Sequence, residues 1–273
     1  MLHKEFESPE ILRDTIKCFW YTCNDFGEQN AGFEVVPDGH AEITFHFGGN
    51  LSSILPNGNL HPLPSPFMVG LLNQPVIFHV EGKLEVIGIR CYPWTVFDLL
   101  NLPAGNSGVQ QFEHPLAKLH PVLSRSIKSG KPEEAINILK DYFLSEGVEP
   151  VADNTLTKAG NALTQAKGTI LVSRVAEAAH ATVRTLERKF KQAAGHTVKD
   201  VAGLMRFEQV RNRLWADPKV NLAGLSHELG YTDQAHLSRE FKRYSGTTPA
   251  AFIRKAKERQ QTFNSEIVAF LQS

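Results

Sequence analysis

One stretch of this 273-residue chain occurs twice. RTLERKFKQAAG at 184–195 and AHLSREFKRYSG at 235–246 align without a gap at an offset of 51. Leu186 matches Leu237, Arg188 matches Arg239, Phe190 matches Phe241, Lys191 matches Lys242 and Gly195 matches Gly246. A leucine and a phenylalanine four residues apart lie on one face of a helix, where both can enter a core. The matched arginines fall elsewhere on the circumference. A helix that is apolar on one side and basic on the other can be held by its own domain while the free side enters a DNA groove. This chain specifies that helix in two copies.

The residues before each copy predict a second helix and a tight turn. In LSHELG, Leu225, Leu229 and the small Ser226 give an apolar face, and Gly230 supplies the positive φ that ends a helix. Tyr231 returns to the core, and Thr232 or Asp233 caps the helix that begins near Gln234. Helix, tight turn and helix make a helix–turn–helix unit. In the earlier copy, VSRVAEAAHATVRTLERKF, Ala176 and Ala179 are the close-packing positions and Thr182 is the cap. The turn there is one residue shorter, and His180 stands where glycine is cheapest, as a turn residue or a partly buried imidazole.

The formal net charge is zero, with 29 Lys+Arg against 29 Asp+Glu, but it is unevenly spread. Residues 1–154 hold 10 Lys+Arg and 19 Asp+Glu, a net of −9, and residues 155–273 hold 19 and 10, a net of +9. That asymmetry predicts two domains with different partners, the second facing a polyanion. Residues 33–100 are short apolar runs cut by Gly, Pro and Asn. Alternation at Ile43, Phe45 and Phe47, again at Val76, Phe78 and Val80, and a run from Leu84 through Val86 to Ile89 predict strands of a small antiparallel sheet or barrel. PNGNLHPLPSP at 56–66 reads as a long loop. Leu116, Leu119, Leu123 and Ile127, then Ala135, Ile138, Leu139 and Phe143, are spaced for helix faces. EGVEPVADN at 146–154 reads as a linker. The expected architecture is two-domain α+β. A β-rich N-terminal sheet or small barrel with helices, for sensing or dimerisation, occupies 1–154, and an all-α DNA-binding domain with two helix–turn–helix units occupies 155–273. No window of 18 apolar residues exists and the start, MLHKEFESPEI, has no apolar core, so neither a membrane span nor a secretory signal is expected and the chain is placed in the cytoplasm. Cys18, Cys23 and Cys91 are too few and too widely spaced for a disulfide framework.

LGYTDQAHLSREFKRYSGTTPAAF at 229–252 resembles the C-terminal signature of the AraC/XylS family of bacterial transcription regulators. LERKFKQAAG at 186–195 resembles the signature of that family's first helix–turn–helix. Arg206, Val210 and Leu214 in LMRFEQVRNRLW resemble the long helix that joins the two units. The resemblance covers about 169–256 and includes the Gly246, Pro249, Phe252 tail. PDGHAEITFHFGG at 37–49 and VIGIRCYPWTVFDLLNLPA at 86–104 look like the uncharacterised N-terminal domain of one group of these regulators. The resemblance implies two units that read successive major-groove faces of one double-stranded DNA site, and an N-terminal half that senses a small molecule or mediates a homodimer in reaching the transcription machinery. It places base contacts at Arg184, Glu187 and Arg188 in the first unit and at Gln234, His236 and Arg239 in the second. Lys189, Lys191, Lys242 and Arg243 read as a phosphate-facing rim. Glu187 has two readings: it accepts from cytosine N4, or it pairs with Arg184 or Lys191 and tempers the basic patch.

No catalytic role, metal or cofactor is expected. His40, Glu42 and His46 share strand parity, with His61 and His79 downstream, but they lack the close His pair of a metal-holding barrel. There is no phosphate-binding glycine loop, GxSxG elbow or HExxH. The alternative to a pure regulator is a DNA-repair regulator with an alkyl-accepting cysteine in its N-terminal half.

Overall fold

The computed structural model describes residues 2–27, 31–55, 58–102, 108–145 and 154–254. The chain divides into two compact units. The first comprises Met1–Glu34, His40–Gly70 and Val76–Ala152, and the second Val35–Gly39, Leu71–Pro75 and Asp153–Ser273. Nearly all of the expected linker, residues 146–153, lies outside the described residues.

Among its described residues the first unit holds ten strands: β1 (Leu2–Glu7), β2 (Ile16–Asp25), β3 (Ala31–Val35), β4 (Ala41–Phe47), β5 (Asn50–Ile54), β6 (Leu60–Pro62), β7 (Phe67–Val69), β8 (Val76–Glu81), β9 (Lys83–Cys91) and β10 (Val109–Gln110). They form a six-stranded sheet in the order β1-β2-β9-β4-β7-β10 and a four-stranded sheet in the order β3-β8-β5-β6. A short helix α1 (Val96–Leu99) follows β9, and α2 (His120–Lys128) and α3 (Pro132–Ser145) close the unit. Ile43, Phe45, Ile87 and Ile89 on the large sheet share one buried cluster with Leu123, Ile127, Ile136, Leu139 and Phe143 of the two helices. In α3 the buried side is Ala135, Ile136, Leu139 and Phe143, with Ile138 only partly covered, so the inward face is turned slightly from the expected one.

Several elements differ from the sequence expectation, among them β1 and β10, and two of the differences have a clear physical reason. The loop expected over 56–66 contains β6, which pairs with β5 through Ile54↔Leu60, Ser53↔His61 and Ser52↔Pro62. β6 is the edge of its sheet, where a proline needs no ladder partner for its missing N–H. The second difference is β2, in a region where no strand was read. Its burial is nearly continuous from Ile16 to Thr22, because both faces of this inner strand are covered and no polar alternation survives. Gly88 on β9 stands opposite Trp20 on β2, and a Cβ at 88 would fall inside the Trp20 indole.

The second unit is helical: α4 (Asn154–Gln165), α5 (Val172–Ala178), α6 (Val183–Ala194), α7 (Val198–Ala216), α8 (Leu222–Glu228) and α9 (Gln234–Ser245), with residues 249–254 also helical. Each feature of the repeat takes its expected form. Thr182 caps α6 by accepting from the Thr185 N–H at 3.2 Å, and Asp233 caps α9 by accepting from the His236 N–H at 2.6 Å. Gly195 and Gly246 both end their helices at φ 69°. The turn after α5 passes through His180 at φ 51° and the turn after α8 through Gly230 at φ 72°. Behind both turns a backbone bond closes the helix end, Ala181 N–H to Ala176 O and Tyr231 N–H to Ser226 O, each 2.9 Å. His180 is exposed, which makes it a turn residue and not a buried imidazole.

Candidate nucleic-acid interface

α6 and α9 are built alike. Leu186 and Phe190 in α6, and Leu237 and Phe241 in α9, are at most 1% exposed, and Phe252 is buried. Phe241 packs against Phe207 of α7 and edge-on against Phe252. These residues anchor the helices in the core. The opposite faces are open. Arg184, Arg188, Lys191 and Gln192 are exposed on α6, and Gln234, Arg239, Lys242 and Arg243 on α9. Arg184 and Arg188 are one turn apart, so their guanidinium groups rise from the same stripe. A guanidinium can fork to guanine O6 and N7, and a carboxamide can bond adenine in the same bidentate way.

The remaining site residues are engaged with the protein. His236 is half-buried, with its ring edge-on to Tyr231 at 5.3 Å and its Nδ1 3.4 Å from the Thr232 hydroxyl. Lys191 donates to the Gly195 carbonyl at 2.8 Å, closing the end of α6. Arg188 donates to the Gln192 side chain at 3.1 Å. Lys189 is half-buried. Arg243 pairs with Asp200 of α7 at 3.3 Å and lies over the Tyr244 ring. Glu187 is half-buried, and its carboxylate accepts the backbone N–H of Val198 at 3.1 Å, at the first turn of α7.

Sequence reasoning placed Arg206 on the joining helix and Tyr231 in the core, but not the cluster they form with Glu240. Arg206 of α7 donates to the Gly168 carbonyl at 2.9 Å and to the Glu240 carboxylate at 3.1 Å, with its guanidinium 5.3 Å from the Tyr231 ring centre. Burial, and after it the Glu240 charge, push the Tyr231 hydroxyl far above its ordinary pKa, so it stays neutral. This cluster fastens α9 and its turn to α7. Its members lie far apart in sequence, and no local pattern announces them.

In the first unit, Glu42 pairs with Arg90 at 2.7 Å, and His46 Nε2 lies 3.1 Å from the Leu63 carbonyl. His61 Nε2 lies 2.9 Å from the Gln111 amide. No group of three His, Cys, Asp or Glu among the described residues is placed to hold a metal ion. Burial raises the Cys18 thiol to about 11, and it raises that of Cys91 further. Both thiolates are therefore disfavoured, the opposite of what a reactive cysteine needs. A cavity of about 540 Å³ is lined by Lys4, Tyr21, Cys23, Lys83, Glu85 and Glu133, with Leu2 and Ile127 among its apolar walls. Its charges are paired, Lys4 with Glu133 at 2.8 Å and Lys83 with Glu85 at 3.0 Å. No helix among the described residues is long and apolar enough to cross a membrane.

Two family models match the chain. Residues 175–255 match the "Helix-turn-helix domain", of AraC type, and residues 4–112 match the "Domain of unknown function (DUF6597)". No curated protein matches. Among solved structures, ToxT from Vibrio cholerae with an unsaturated fatty acid bound is 10% identical, with a TM-score of 0.48 over 86% of this chain and 94% of that one. The DNA-binding domain of AdpA, a global transcriptional factor solved with a target DNA, is 20% identical, with a TM-score of 0.36 over 41% of this chain and 100% of that one. The C-terminal domain of AraT, a response regulator from Geobacillus stearothermophilus, is 18% identical, with a TM-score of 0.35 over 39% of this chain and 88% of that one. The chain thus carries an AraC-type helix–turn–helix domain, whose two units end in one basic helix each, behind an N-terminal DUF6597 domain, and it is a DNA-binding transcription regulator.

Proposed function

We propose that α6 and α9 enter successive major-groove segments of one operator, about one helical turn or roughly 34 Å apart. One observation carries this reading: two helices with matched buried sides, matched caps and matched exposed cations flank a single continuous helix, α7. Arg184, Arg188, Gln234 and Arg239 are exposed and read bases, Arg188 exchanging its Gln192 contact for one to DNA. His236 and Glu187 belong to the same set by resemblance. Lys189, Lys191, Lys242 and Arg243 are the phosphate rim. Selection from random DNA followed by footprinting tests the proposal. Two protected segments about ten base pairs apart are expected, and a single protected segment overturns it.

The DNA-binding domain is taken to be 155–273, and 1–154 to be the sensing or dimerising domain of a cytoplasmic regulator that reaches the transcription machinery. The cavity between the sheet and the α2–α3 turn supports sensing, since its size falls within the roughly 300–1,000 Å³ of small-molecule sites. Paired charges of both signs around apolar walls suit a small zwitterionic effector with an apolar body. Calorimetric titration with free amino acids as probes tests this. Binding that Lys83→Glu abolishes is expected, and titration without heat across the set rejects that ligand class.

A further inference from the structure

We infer that the first turn of α7 is the joint that sets the angle between the two reading helices, and that Glu187 is a positioning residue of that joint. The inference rests on the two-helix reading above and assigns Glu187 a role other than base contact. Two ties meet at this turn. Glu187, on α6, accepts the N–H of Val198, the first residue of α7. Asp200, in the same turn, takes part in a capping box with Thr197 and pairs with Arg243 of α9 at 3.3 Å. One turn of one helix thus holds a carboxylate from the first reading helix and presents a carboxylate to the second. The first N–H groups of a helix have no partner inside it, and the helix end favours negative charge. Glu187 answers both conditions, and its carboxylate is thereby committed to the protein.

The second copy of the repeat supplies an independent argument. The match at an offset of 51 runs past the reading helix into the helix that follows. Thr248 caps residues 249–254, with its hydroxyl accepting the Ala251 N–H at 3.2 Å, as Thr197 accepts that of Asp200 at 3.1 Å. Val198 then corresponds to Pro249, and Glu187 to Ser238. Where the first helical residue carries an N–H, a carboxylate is present to take it. Where that residue is proline and carries none, the carboxylate is absent. The pairing of Glu with Val and of Ser with Pro follows the hydrogen bond, while the exposed cations Arg188 and Arg239, and Lys191 and Lys242, are kept in both helices.

The same correspondence provides the test. Proline is favoured at the first position of a helix, and Thr197, at φ −77° and ψ 158°, already has the backbone that precedes a proline. Val198→Pro therefore removes the N–H and leaves α7 in place. Full-length wild type, E187A, V198P and the double variant are compared on operators whose two segments are set one base pair closer, at the selected spacing and one farther apart, and on single-base variants of the first segment. Circular dichroism checks that each variant is folded. E187A is expected to weaken the selected spacing about tenfold, the scale of one charge-assisted hydrogen bond, and to flatten the preference among spacings. In the V198P background the same change is expected to do nothing further, and E187Q, which keeps an acceptor, to restore most of the preference. Additive losses in the double variant overturn the joint. So does a loss confined to one base pair, which makes Glu187 a base reader. If wild type protects only one segment, the two-helix reading itself has failed, an outcome distinct from both.

Discussion

His180 is a non-glycine residue held at φ 51°, where its Cβ crowds the backbone. The equivalent turn position in the other unit is Gly230. H180G should raise the stability of the second unit by about 1 kcal/mol, and G230A should lower it by about 1–2 kcal/mol, both read as shifts in urea midpoint. Gly88 is constrained differently, by space. G88A should destabilise the first unit by about 3 kcal/mol or more, because the Trp20 indole it meets lies inside a packed sheet. His46 gives a pH dependence. Burial depresses its pKa below the ordinary 6.5, against the pull of the Leu63 and Pro64 carbonyls. The unfolded chain therefore takes up the proton first. Stability of the first unit should be full above pH 6.5, should fall as the pH drops through that value and should level off below the folded pKa. Denaturation at several pH values checks this, and H46Q should flatten the profile.

At the scale of elements, the two reading helices predict separable defects. R188A should lose about 1–3 kcal/mol of discrimination at positions in one segment of the site, and R239A the same in the other. Binding arrays of single-base variants would show the two losses in different segments. F190A and F241A should behave otherwise, costing about 2–5 kcal/mol of folding stability with no change in base preference. These helices, with their caps and glycine stops, were legible because their signals are local: period, cap and stop all fall within a dozen residues. β4, β8 and β9 were legible for the same reason. β2 was not, since burial on both faces erases the alternation that marks a strand. Nor was β6, whose proline is acceptable only at a sheet edge, a position that sequence does not reveal. The interface was half legible. Arg188 and Arg239 followed from the repeat, and Arg184 from the family resemblance. The bonds from Glu187 to Val198 and from Arg206 to Glu240 depend on how helices cross, and no spacing rule reports that.

For the whole molecule, the opposite charges of the two halves set an expectation about control. A fragment of residues 155–273 should bind the operator, with affinity falling steeply as salt rises because phosphate contacts release counterions. If the first half restrains the second electrostatically, the fragment binds more tightly than the full chain, and the difference shrinks in salt, since such attraction is screened over about 8–10 Å. If the first half dimerises the protein, the full chain binds paired sites more tightly through effective concentration. Equal affinity assigns the first half to a ligand or to the transcription machinery. Electrophoretic shifts of both proteins on one operator distinguish the three.

Gly195 and Gly246 leave their helices at the same φ, and each is followed two residues later by a threonine that caps the next helix. The chain therefore departs from both reading helices along the same local path. An exit that is the same each time is a connector, and a connector can be joined again. Grafting a further copy of residues 198–246 in place of the stretch that begins at Pro249 would launch another long helix from α9 in the direction α7 takes from α6. With Ser238→Glu added to rebuild the joint at Val198, the fused protein would carry a third reading helix at the same pitch and would protect a third segment of DNA, making operator length a quantity set by the number of modules joined.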